Sequence, residues 1–151
     1  MSDWDYEAPF TLEQVVGQEH IDGLMHTNNA VYVSWCARVA WAHSESLGLD
    51  LEHYHQLNRA MVITRSEFDY LKASRLGDRL VLATWIVAWD GRLTMERRFQ
   101  IRRPADDQTV LRARILFACV DLANGKPRRM PAEFTERYGA VIVSAGQDKP
   151  A

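Results

Sequence analysis

Between Ala30 and about Leu47 the chain carries a helical pattern that is apolar almost all the way round. Val31, Val33, Trp35, Cys36, Val39, Ala40, Trp41 and Ala42 cover nearly the whole circumference, and only Ser34, Arg38 and Glu45 mark a narrow polar stripe at helical spacing. A surface helix needs one apolar face; a helix without a broad polar face has to be enclosed. Gly48 is well placed to end it. A chain with one such helix must therefore supply a sheet broad enough to wrap it.

The remaining sequence supplies that sheet. Phe10 to Gln18 alternates weakly with period two, as an early strand would. Arg59 to Ala73, Asp78 to Trp89, Leu93 to Arg103 and Thr109 to Asp121 are extended segments rich in β-branched and aromatic residues. Asp90-Gly91 is a two-residue hairpin signal. Leu93, Met95, Phe99 and Ile101 alternate with polar neighbours, so one face of that strand is expected to be wet. Asp78 to Trp89 is apolar on both faces, which fits a central strand or a subunit interface. Glu133 to Tyr138 reads as a last helical turn, and His53 and His55 as part of an exposed loop. One early strand, one enclosed helix and an antiparallel meander of four strands make an α+β protein.

Composition narrows the function by exclusion. A formal charge of −2 over 151 residues exerts no general pull on nucleic acid. The pairs Arg97-Arg98, Arg102-Arg103 and Arg128-Arg129 do not make a basic stripe. No apolar run approaches the roughly 20 residues that span a bilayer, and the acidic stretch Met1 to Glu7 is not a secretory signal. Cys36 and Cys119 are lone cysteines in apolar runs, expected to be buried thiols of a reducing cytoplasm. The histidines show no metal-ligand spacing with carboxylates.

Chemistry concentrates in Asp22-Gly23-Leu24-Met25-His26-Thr27-Asn28-Asn29, directly ahead of the long helical pattern. Asp-Gly favours a tight turn, and an Asn before an apolar periodic run is a preferred helix cap. The polar groups should therefore gather at a helix N-terminus. There, unpaired backbone N–H groups and the macrodipole suit a carbonyl oxygen or a developing oxyanion. A carboxylate, an imidazole and such donors are equipment for acyl transfer.

Asp22, His26, Asn28 and Asn29, followed by Tyr32, resemble the Asp-x-x-x-His-x-Asn-Asn-x-x-Tyr signature of hotdog-fold acyl-CoA thioesterases of the 4-hydroxybenzoyl-CoA thioesterase type. The resemblance continues through Arg65-Ser66-Glu67-Phe68 and Leu76-Gly77-Asp78-Arg79-Leu80 to Asp121 and Pro131, over roughly residues 8 to 135. It departs at Leu24, where acyl-carrier-protein thioesterases often carry Asn, and at Met25, where many relatives carry Gly. It implies a hotdog fold, an antiparallel sheet wrapped around one long central helix. That fold would be a single domain over 1–151, ordered over about 8–138 with tails at 1–7 and 145–151.

The resemblance further implies a cytoplasmic thioester hydrolase without metal or organic cofactor, in which coenzyme A enters as part of the substrate. Its partners would be an acyl-CoA or acyl-carrier-protein thioester and copies of itself, as a homodimer or homotetramer, with neither nucleic acid nor membrane. Asp22 would act as nucleophile or general base. His26 would orient the substrate or share a proton with Asp22, and the backbone N–H at about Asn29 would polarise the thioester carbonyl. Asn28 and Tyr32 would line the site, and Arg65, Arg75 and Arg79, with Lys72, are candidates for the phosphates of coenzyme A. Glu45 and Glu67 are alternative carboxylates. Two other readings share the fold: a hydratase or dehydratase of acyl thioesters, and a non-catalytic acyl-CoA or carrier-protein binding module.

Overall fold

A computed structural model describes residues 3–143. Five strands form one antiparallel sheet: β1 (Phe10–Val15), β2 (Arg59–Tyr70), β3 (Arg79–Trp89), β4 (Thr94–Arg103) and β5 (Gln108–Asp121). The long helix α1 spans Asn29–Ser46, and two short helices, α2 (Leu51–Leu57) and α3 (Ala132–Gly139), pack at its C-terminal end. This is the α+β hotdog arrangement implied by the resemblance, with the helix held in the curve of the sheet.

The strand order is β1-β3-β4-β5-β2. The expected four-strand meander is therefore only three strands long. β3, β4 and β5 follow one another, but β2 crosses to pair with β5, with Arg59 opposite Asp121 and Tyr70 opposite Leu111. Twelve residues of β2 thus form a sheet edge whose outer side carries no strand among the described residues. The Asp90 turn also differs from the two-residue hairpin. Its loop runs to Leu93, because the Asp90 carboxylate accepts the backbone N–H groups of Arg92, Leu93 and Thr94 and closes a longer turn around itself. Those three donors hold its carboxyl well below the ordinary carboxylate range.

Strand periodicity decides what each face of β3 meets. Leu80 and Leu82, both fully buried, point to α1, where they join Tyr32, Trp35, Cys36 and Val39 in the main core. Ala83, Trp85 and Val87 point the other way and are covered by Tyr6, with Trp4 edge-on to Trp85. Residues 3–7, expected as part of a tail, are therefore a strap across the back of the sheet. Asp5 pairs with Arg112 through two contacts of 2.6 and 2.9 Å, its N–H donates to buried Gln100, and the Glu7 carbonyl accepts Trp85 Nε1–H. Burying one large apolar side chain stabilises by about 1.5–3 kcal/mol, so Trp85 and Tyr6 offset much of the entropy of ordering this short segment, and the Asp5–Arg112 pair and the Gln100 and Trp85 hydrogen bonds add to them. The strap also dries the Gln100 end of the β4 face expected to be wet. The second tail, 145–151, lies outside the described residues.

α1 is enclosed on one side only. Tyr32, Trp35, Cys36, Val39 and His43 are buried against the sheet, whereas Val33, Ala37 and Trp41 remain exposed on the opposite stripe. One five-stranded sheet covers half of a helix that is apolar all round.

Candidate active site

The loop ahead of α1 is a small hairpin built on the isolated bridge Ile21↔Thr27. Asp22 N–H donates to the His26 carbonyl and Met25 N–H returns to the Asp22 carbonyl, at 2.9 and 3.0 Å. The Asp22 side chain completes the turn by accepting Leu24 N–H on Oδ1 at 2.9 Å. Asp-Gly has this propensity because the short carboxylate reaches the backbone two residues on. Met25 sits at φ 64°, a left-handed conformation. The departure from Gly at this position is thus located on a backbone that Gly adopts at less cost.

Thr27 fastens the loop to the end of the segment after β2. Its N–H donates to the Ser74 carbonyl at 2.8 Å, and its hydroxyl meets Ser74 Oγ at 2.6 Å. Tyr32, one turn into α1, meets the same Ser74 hydroxyl at 2.6 Å. From below, the His20 carbonyl accepts Asn28 N–H while its ring packs edge-on against Trp35. Thr27, Ser74 and Tyr32 are all buried, so the loop base is anchored while Gly23, Leu24 and Met25 project into solvent.

Asn28 is the N-cap of α1. Its Oδ1 accepts Ala30 N–H and its carbonyl accepts Val31 N–H, each at 2.9 Å. That leaves Asn29 N–H, the first of the helix, with no acceptor among the described residues. A helix N-terminus holding one unused donor and a partial positive charge is a site for negative oxygen.

Asp22, His26, Asn28, Asn29 and Tyr32 line a single cleft of about 350 Å³ together with Tyr70, Leu71 and Lys72 from the end of β2. Asp22 and His26 are half-buried, and no hydrogen bond joins their side chains. The three arginines lie apart from this group. Arg65 pairs with Glu67 at 2.9 Å on the exposed face of β2, Arg79 pairs with Glu13 at the other sheet edge, and Arg75 stands in the turn before β3. The cation at the cleft is Lys72. Of the alternative carboxylates, Glu45 is exposed at the far end of α1 and Glu67 is engaged by Arg65.

Of the four candidate cations only Lys72 reaches the cleft, and Tyr70 and Ser74 are the site residues that local sequence reading missed. They approach α1 because β2 pairs with β5, a contact with no local sequence signal. The two thiols offer no nucleophile: burial raises Cys36 to about 12 and Cys119 to about 11. Among the described residues no cluster of three His, Cys, Asp or Glu side chains is placed to hold a metal, and no helix is long and apolar enough to cross a membrane.

The sequence pattern of the thioesterase-like superfamily matches residues 16–138. The long-chain acyl-CoA thioesterase FadM of Escherichia coli is 26% identical over 126 residues, 82% of this chain and 92% of that protein. Among solved structures, a 1,4-dihydroxy-2-naphthoyl-CoA thioesterase from Synechocystis superposes with a TM-score of 0.78 at 19% identity, covering 87% of this chain and 96% of that one. A Staphylococcus aureus protein solved in complex with CoA gives 0.82 at 19% identity, over 99% and 91% of the respective chains. At such identities the solved structures establish the shared fold.

Proposed function

The chain belongs to the thioesterase-like superfamily, and on that premise we propose that it hydrolyses an acyl-CoA thioester to a carboxylic acid and free coenzyme A, with Asp22 as the catalytic carboxylate. The observation that carries this reading is the meeting, in one cleft, of the Asp22 carboxylate with a helix N-terminus whose Asn29 N–H has no other acceptor.

Hydrolysis needs a nucleophile, a place for the oxyanion and a proton for the leaving thiolate. As general base, Asp22 takes a proton from water while the water oxygen bonds to the thioester carbon. The carbonyl electron pair moves to oxygen, where Asn29 N–H and the α1 dipole meet it. Collapse re-forms the carbonyl, breaks the carbon–sulfur bond and releases a thiolate, which takes up a proton. As nucleophile, Asp22 itself bonds to the carbonyl carbon; the thiolate leaves with an anhydride on the enzyme, and water then cleaves it. Both routes need the same oxyanion donor, a single one of which contributes about 2.7–4 kcal/mol to lowering such barriers. Neither route requires a metal or organic cofactor. His26 orients the substrate from the opposite side of the turn, Tyr32 and Asn28 complete the wall, and Lys72 meets the anionic part of coenzyme A.

We further infer a homo-oligomer, built as a dimer at least. The exposed stripe Val33, Ala37 and Trp41 and the open edge of β2, with Ile63 55% exposed, are apolar surface and unpaired backbone that a second copy would cover. The chemistry is tested by thiol release from short, medium, long and aromatic acyl-CoAs, with wild type and Asp22→Asn side by side. Turnover abolished in the folded variant supports the reading. Binding without turnover by wild type across the panel replaces it with an acyl-CoA binding module. Single-turnover hydrolysis in ¹⁸O-water, with the label found in Asp22 or only in the product, separates the nucleophile from the base.

A further inference from the structure

A second cleft of about 340 Å³ runs along α1 toward its C-terminal end. Besides Cys36, its helical wall is, in order along the helix, Val33, Ala37, Ala40, Trp41 and Ser44. Counted from Asn29, these fall at i+4, i+8, i+11, i+12 and i+15, so they continue the stripe on which the unused N–H begins. The opposite wall, from β2, β4 and β5, is mostly apolar, with Ser66 on β2 and a polar group near Ser44 as the exceptions. There the buried Arg97, 2% exposed, lines the cleft together with Tyr54 and Tyr138.

Arg97 is held entirely by neutral groups. Its Nη1 donates to His43 Nδ1 at 3.0 Å and to Thr84 Oγ1 at 3.4 Å, its Nη2 donates to Ser44 Oγ at 3.3 Å, and its Cζ lies 6.0 Å from the Tyr138 ring centroid. Tyr138 hydroxyl in turn meets Ser44 Oγ at 2.8 Å and the Tyr54 hydroxyl. Among the described residues no carboxylate forms an ion pair with Arg97, whereas Arg98, Arg102, Arg103, Arg112 and Arg114 of the same sheet all have one. An arginine stays charged in proteins, and a charge buried without a counter-ion is costly. Here that charge borders an apolar cleft, where an arriving anion would find fixed donors and little competing water.

We propose that Arg97, with Ser44 and Tyr138, forms a subsite for a carboxylate at the distal end of the acyl chain, so that the preferred substrates are half-thioesters of long α,ω-dicarboxylic acids. The placement of the thioester at Asn29 rests on the thioesterase reading; the distal subsite does not. From Asn29 to Ser44 the helix rises about 22 Å, and a long extended chain laid along the stripe, in a channel that the second copy would roof over rather than fill, joins the two ends.

The test compares palmitoyl-CoA with hexadecanedioyl-CoA, which differ only in the distal group. For wild type, kcat/KM is expected to favour the ω-carboxyl substrate about tenfold or more, the scale of one hydrogen-bonded charge contact. Arg97→Gln should bring the ratio to one or below, and Arg97→Lys should restore part of it, which a merely structural role would not do. Calorimetric binding of the matching non-hydrolysable thioethers to wild type gives a second readout that needs no variant to fold. Equal turnover and equal binding of the two chains by wild type overturns the subsite and leaves the thioesterase reading standing. Absence of turnover for both, with tighter binding of the ω-carboxyl thioether, supports the subsite and overturns the thioesterase reading.

Discussion

The two ends of α1 carry polar groups under opposite conditions. At the N-terminus Asp22, His26 and Asn29 sit in a turn whose tip reaches solvent, and the charge of Asp22 costs little because water and the Leu24 N–H share it. At the C-terminus His43, Ser44 and Arg97 are shut between helix and sheet, and every polar atom must find its partner inside the protein. A group in the first place is open to a substrate and only lightly tied to folding, through one turn or cap contact. A group in the second is rigidly held, and its protonation state is tied to stability. Substitutions at the N-terminal end should therefore separate activity from stability, and changes at the C-terminal end should couple them.

The largest effect is expected from Asp22→Asn. The amide oxygen can still accept Leu24 N–H, so the turn and the thermal midpoint should hold, while thiol release falls by about 10²–10⁴-fold, the range lost with a positioned acid–base group. Activity near wild type would remove Asp22 from the mechanism and place function away from the N-terminal end.

The coupled end is tested by pH. Burial, and next the Arg97 charge, lower His43 from 6.5 to about 4. Below 6.5 the unfolded chain binds a proton on this side chain that the native protein refuses until about pH 4, so stability is intact above that window and is lost as pH falls through it. The expected loss is about 3 kcal/mol between pH 7 and 4 from this group. His43→Gln, which keeps an acceptor for Arg97, should flatten that part of the curve in denaturant titrations at several pH values. An unchanged slope in the variant would show that other groups set the acid sensitivity.

Next in size is Asn28→Ala. It removes the cap on Ala30 N–H and should cost about 1 kcal/mol in urea unfolding. The kcat per folded molecule should hold, because the oxyanion donor proposed at Asn29 is main chain, while KM rises with the loss of the Asn28 part of the cleft wall. A loss of kcat far beyond the loss of stability would mean that the Asn28 side chain, and not the backbone, serves the oxyanion.

What the sequence reveals of these two ends also differs. The N-terminal site is legible because it is local: turn, cap and helix lie within Asp22 to Asn29, and each has its own propensity. α2 was equally local, with Asp50 capping it through His53 N–H and Asn58 ending it at φ 51°; two histidines in a seven-residue segment hid those signals. Strand extents follow from composition, but the pairing of β2 with β5 does not, and with it went Tyr70 and Ser74. Arg97 falls on the inward parity of β4, between Met95 and Phe99. A charged residue in that register was the available sign of the buried network, and the alternation alone concealed it. The strap from Asp3 to Glu7 had its sign in Trp4 and Tyr6, two large aromatics in an acidic segment.

The smallest effect tests how far the loop tip is uncoupled from both folding and chemistry. Met25 holds φ 64° with a side chain 68% exposed. A left-handed conformation costs an ordinary residue roughly 1–2 kcal/mol. Glycine removes that cost, but it also widens the unfolded ensemble, by about 0.4–1 kcal/mol. The two terms nearly cancel, so Met25→Gly should change stability by no more than about 0.5–1 kcal/mol, in the stabilising direction if in either. Because the side chain touches solvent and is not part of the cleft wall, kcat/KM should shift by no more than about twofold, the kinetic equivalent of an ordinary surface change. A tenfold loss of kcat/KM at unchanged stability would instead make the Met25 side chain part of the substrate surface, and the loop tip would then belong with the anchored groups beneath it.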